Sequence, residues 1–182
     1  MAPLNPLRPW RHARGFTLVE LIVVIIVIGI LGAVAAGRLA DKGGFEGRAF
    51  GDQAASLVRY GQKVAIAQGR NVYVRINGSG VALCYQSNCA AGFRVPGAAG
   101  GNSGSSATVA ACADPTWACE APPAGVTVSA NTQFYFDPLG KPFALTDPQT
   151  TAVSTFTTLA VNVTGAGVPR SFSVEAETGY VH

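Results

Sequence analysis

Charge is scarce in this chain. Asp, Glu, Lys and Arg make up 13% of its 182 residues, and histidine is scarcer still, with His12 and His182 the only two. A Ser or Cys nucleophile in the body of the chain therefore lacks its usual imidazole base. The acids are scattered, and Glu175 and Glu177 are expected on the solvated face of one strand. Gly97, Gly100, Gly101 and Gly104 neither follow a strand nor open a helix as nucleotide-binding loops require. No enzyme activity, cofactor, metal or small-molecule substrate is expected.

An excess of basic charge is missing as well. The net charge is +3, but Arg8, Arg11 and Arg14 supply three of the 13 basic residues, so the chain from Phe16 onward is balanced at ten of each sign. Nucleic-acid binders draw much of their affinity from phosphate neutralisation by a basic face. Beyond Arg170 the tail holds Glu175 and Glu177 and no Lys or Arg. No nucleic-acid partner is expected. Wholesale disorder is excluded too, because 48% of the residues are hydrophobic.

The apolar residues concentrate near the N-terminus. Residues 16–36 hold one ionisable side chain, Glu20. As a helix this stretch would extend about 30 Å, the thickness of a bilayer's hydrocarbon core. It is longer than the apolar region of a secretory signal peptide, although Ala33, Ala35 and Ala36 would suit a signal cleavage site. A plain signal anchor is the other alternative. Neither accounts for Glu20, since a carboxylate inside a span costs about 3 kcal/mol even on lenient insertion scales. Its natural partner is a free amine on Phe16, created if the chain is cut after Gly15. Supplied by a neighbouring copy, that amine would set the register between packed helices.

The run Arg14-Gly15-Phe16-Thr17-Leu18-Val19-Glu20-Leu21 closely resembles the processing site of type IV prepilins and type II secretion pseudopilins. The resemblance implies that prepilin peptidase cuts between Gly15 and Phe16 and N-methylates Phe16, and that Glu20 serves assembly. It also implies a leader at residues 1–15, a transmembrane and filament-core helix at 16–37, and a periplasmic globular domain at 38–182. The subunit would sit in the bacterial inner membrane before entering an envelope filament, with the peptidase and other pilins as partners. One departure is that Gly37 stands where pilins often carry a helix-kinking proline.

Beyond the span, residues 41–44 read as a polar, glycine-containing break. Phe50, Ala54, Leu57, Gly61 and Val64 then mark one face of a helix over residues 45–68. The period next changes to two. Residues 71–76 and 81–85 read as a hairpin about Asn77-Gly78-Ser79-Gly80. Further strands are expected at 126–129, 133–136, 156–163 and 170–176, with turns at 137–142 and 165–169. Residues 96–110, rich in Gly, Ala and Ser, read as a long mobile loop. The fold class is therefore α+β: a long N-terminal helix, half transmembrane and half amphipathic, packed on an antiparallel sheet. The phrase Arg59-Tyr60-Gly61-Gln62-Lys63-Val64-Ala65-Ile66-Ala67-Gln68-Gly69-Arg70 resembles the GspH/FimT subgroup of minor pseudopilins. The closing residues from Phe172 to His182 are similar to a minor pilin of mannose-sensitive haemagglutinin (MSHA) pilus systems.

Cys84, Cys89, Cys112 and Cys119 are disulfide candidates if this domain lies outside the cytoplasmic membrane. Three connectivities are open. Local pairing, Cys84 with Cys89 and Cys112 with Cys119, is preferred because each bridge closes a short loop. A four-thiolate zinc site is the alternative.

Overall fold

The computed structural model describes residues 16–39 and 42–182. The chain divides into two units between Ala40 and Asp41. In the first, Leu18–Leu39 forms helix α1. The second is α+β.

The second unit opens with helix α2, Lys42–Gln68, so Gly43 and Gly44 are helical and do not form a break. Gly43, Gly47 and Gly51 fall at spacings of four on one face. A methyl group on Gly47 would lie 2.9 Å from the Cα and N of Gly165, and one on Gly43 would lie 3.0 Å from the Ala166 Cβ. The poor helix propensity of glycine is outweighed by the close backbone approach it permits. Gly61 likewise makes room for Leu83. On the predicted apolar face Phe50, Ala54, Gly61 and Val64 are buried, whereas Leu57 is half-buried and Val58 is fully enclosed beside it. Burying each Val or Phe is worth about 2 kcal/mol.

Eight strands follow, all paired antiparallel in two sheets. Val72–Asn77 (β1) and Gly80–Cys84 (β2) form the predicted hairpin, with Asn77 opposite Gly80. Cys119–Glu120 (β3), Thr132–Phe136 (β5) and Pro142–Ala144 (β6) complete a sheet of order β3-β2-β1-β5-β6. Val126–Val128 (β4), Leu159–Gly165 (β7) and Val168–Val174 (β8) form the second sheet, ordered β4-β7-β8. Helix α2 packs against strands of both sheets. Val72, Val74 and Ile76 of β1 are fully buried on the α2 side. Tyr73, on the other face, is buried in an aromatic row with Tyr135 and Phe143, centroids 5.3 Å apart at each step.

Several expectations are corrected. The turn at 165–169 shrinks to Ala166 and Gly167, because β7 and β8 pair through Gly165 and Val168. Strand β7 begins at Leu159, three residues late. Asp147 accepts hydrogen bonds from the Thr155 N–H and hydroxyl and holds that stretch out of the ladder, while Phe156 packs on Phe134 at 4.9 Å. Residues 96–110 do not form a structureless loop. Ala98–Gly100 makes a 3-10 turn, and Ser106–Cys112 forms helix α3, capped by the Ser105 hydroxyl, which accepts from the Thr108 N–H. Glu175 and Glu177 do not share a strand face. Strand β8 stops at Val174, and a turn closed by the Gly179 N–H to the Glu175 carbonyl follows.

Candidate functional site

Among its described residues, the first unit is the helix α1. Leu18–Ala35 has a mean hydropathy of 3.0 and none of it is enclosed by protein, so this helix is long and apolar enough to cross a membrane. Thr17 starts it. Its hydroxyl accepts from the Glu20 N–H at 3.2 Å, and its carbonyl accepts from the Leu21 N–H. Thr17-x-x-Glu20 has the spacing of a capping box. The carboxylate therefore stands in the first turn, where the helix dipole favours negative charge. The Thr-x-x-Glu spacing in the sequence is the signal for this local role of Glu20. Glu20 is exposed, and no basic side chain pairs with it among the described residues. Phe16, 75% exposed, directly precedes Thr17; Gly15 lies outside the described residues.

The prokaryotic N-terminal methylation motif, as a family, matches residues 10–36. The match covers the residues that carry the resemblance to prepilins, from Arg14 to Leu21, and runs on to Ala36. The match thus spans Gly15, Phe16, Glu20 and most of α1. No curated protein sequence matches the chain. Among solved structures, the chain is similar to the type IV minor pilin FimU of Pseudomonas aeruginosa strain PAO1 in two crystal forms. Both are 14% identical and span 74% of this chain. They cover 85% and 90% of FimU, with TM-scores of 0.47 and 0.44.

The cysteines belong to the second unit. Cys84 bonds Cys89 and Cys112 bonds Cys119, with Cα separations of 5.2 and 6.0 Å. All four are buried. The first bridge closes the turn after β2, and the second ties the end of α3 to β3. Together with these bridges, Glu120 anchors the Gly-, Ala- and Ser-rich stretch before α3. Its carboxylate, 5% exposed, accepts from the Ser103 N–H and hydroxyl at 2.6 Å and from the Thr108 hydroxyl at 3.0 Å. Every donor around it belongs to the fold, which makes it a structural clasp.

One arrangement bears on catalysis. The last turn brings His182 Nε2 within 3.0 Å of the Ser173 hydroxyl and 2.9 Å of Glu175 Oε1. The His182 contact, with Thr158 assisting, holds the Glu175 carboxyl below its ordinary range. In a nucleophilic triad the serine and the carboxylate use opposite ring nitrogens. Here both crowd onto Nε2, so the imidazole cannot relay a proton from one to the other.

Proposed function

We propose that this chain is a minor pilin or pseudopilin, a structural subunit rather than an enzyme. Prepilin peptidase would cut between Gly15 and Phe16 and methylate the new amine. The mature helix would then leave the inner membrane for the core of a filament, carrying the second unit outward on the periplasmic side. The observation that carries this reading is the methylation motif lying over a helix that is apolar on all sides, with one carboxylate in its first turn. Such a surface needs lipid or other helices around it, and the carboxylate needs a cation. A neighbour's Phe16 amine would supply both the charge and the axial register. In the finer reading the subunit stands near the tip of an MSHA-like type IV pilus, supported by the resemblance of residues 172–182. A type II secretion pseudopilus is the alternative machine.

The test is intact mass and N-terminal sequencing of the membrane protein from cells with and without prepilin peptidase. A chain starting at methylated Phe16 only when the peptidase is present is the expected result. An uncut chain in both strains, or a cut near Ala36 in both, overturns the reading.

A further inference from the structure

Strand β8 is the outer strand of its sheet, and its free edge is partly covered by the chain's own last residues. The Ser173 N–H donates to the His182 carbonyl at 2.7 Å, and the His182 N–H returns to the Ser173 carbonyl at 3.0 Å. The Glu175 N–H donates to the Tyr180 carbonyl at 2.9 Å. Backbone groups alternate sides along a strand, so Ser171 points its N–H and C=O to the same edge as Ser173. Its neighbour in register, Asn162, confirms this, because the Asn162 carbonyl accepts from Ser129 on the opposite side. The Ser171 pair has no hydrogen-bond partner among the described residues, and Pro169 closes the edge beyond it. One free donor and one free acceptor therefore stand side by side.

They open onto a cleft of about 210 Å³ between α2 and β8. Arg48 and Arg59 reach it from the helix and Arg170 from the strand, with Gly51 and Ala55 leaving the space between them. Asp52 and His182 line it as well. None of the three guanidinium groups lies in an ion pair among the described residues. Arg59 Nε instead donates to the Val181 carbonyl at 2.9 Å, holding the last residues against the helix. The cleft joins a wall of three arginines, none of them in an ion pair among the described residues, to an unpaired strand edge.

We propose that this cleft receives an extended acidic segment of a partner protein by strand addition at Ser171. The paired residue of the segment would exchange both backbone bonds with Ser171. Its two flanking side chains would then point to the face of Arg170 and Phe172, where Asp or Glu meets the arginines. A free phosphate would use the guanidinium donors but leave the Ser171 carbonyl unused, so a peptide strand is the better complement. The proposal is independent of processing and filament entry, since it concerns the second unit alone.

The test uses the full chain in detergent and a fluorescein-labelled peptide of about eight residues alternating Glu and Thr, a length typical of strand addition. Saturable binding by fluorescence anisotropy is expected. It should weaken at least fivefold when Gln replaces Glu in the peptide, and again when the threonines are N-methylated and lose their N–H groups. Arg48→Gln and Arg170→Gln should each weaken it by a similar factor. Gly51→Leu, which fills the cleft without altering charge, should do the same. Circular dichroism checks that the variants are folded, and the peptide-side comparisons decide the matter even if one is not. Absent binding, equal binding of the N-methylated peptide, or displacement by millimolar inorganic phosphate or a single-stranded oligonucleotide overturns the proposal. Displacement would leave an oxyanion site in its place.

Discussion

Replacing Gly47 and Gly51 by alanine should move stability in opposite directions, although both lie on the same face of α2. Each substitution gains up to about 1 kcal/mol of helix propensity. At Gly51 the new methyl group would meet the Val163 Cβ at 3.9 Å and the Arg170 Cβ at 4.0 Å. These are ordinary contacts, so the gain is kept. At Gly47 it would lie 2.9 Å from two backbone atoms of Gly165, and backbone in a paired hairpin does not rotate aside. The helix or the β7–β8 turn must shift, which costs about 1–3 kcal/mol as overpacking does elsewhere. The two variants should thus differ by about 2 kcal/mol, or roughly 6 °C in midpoint for a unit of this size. Scanning calorimetry of the full chain in detergent measures this, with near-UV circular dichroism following the aromatic row around Tyr135. Equal midpoints, or a more stable Gly47→Ala, would refute the claim that the glycine face exists for close approach.

Three other outcomes follow from the geometry. Glu20→Gln should leave the cut at Gly15 intact but lower the amount of subunit in sheared filaments at least tenfold, measured by immunoblot; unchanged incorporation would separate Glu20 from assembly. Replacing Cys112 and Cys119 together by alanine should cost about 2 kcal/mol, the loop-entropy value for so short a ring, read from denaturant midpoints with the Cys84–Cys89 bridge kept. Asp147 is held below its ordinary range, first by the Thr155 hydroxyl and then by the Thr155 and Ala144 N–H groups. Because its folded value is the lower one, its contribution is full above about pH 4 and fades as pH falls further. Asp147→Asn should therefore flatten the acid limb of a stability-versus-pH curve, and an unchanged limb would assign acid unfolding to other groups.

Features with a strong local signal were legible in the sequence. Residues 16–36 declare a span by length, the β1–β2 hairpin declares itself by alternation about Asn77-Gly78-Ser79-Gly80, and α2 by its apolar face. Strands β3 and β6 were invisible because two or three residues carry no period. They exist only because Cys119–Glu120 lies along Ala82–Val81 and residues 142–144 lie along Phe134–Phe136. Helix α3 was hidden by a composition that suggests mobility, while the buried Glu120 that organises the stretch before it is distant in sequence. Gly43 misled for the opposite reason, since its local preference is overruled by a hairpin more than a hundred residues away. The cleft was out of reach for the same cause: Arg48 and Arg59 sit on one face of a helix, but nothing local says that Arg170 stands opposite.

The two sheets of the second unit share no backbone pairing, and α2 packs against strands of both. Lifting that helix away would uncover Val74 and Leu83 on one side and Val161 and Phe172 on the other in a single event. The inner faces of both sheets thus share one cover, and what weakens the seating of α2 weakens both together.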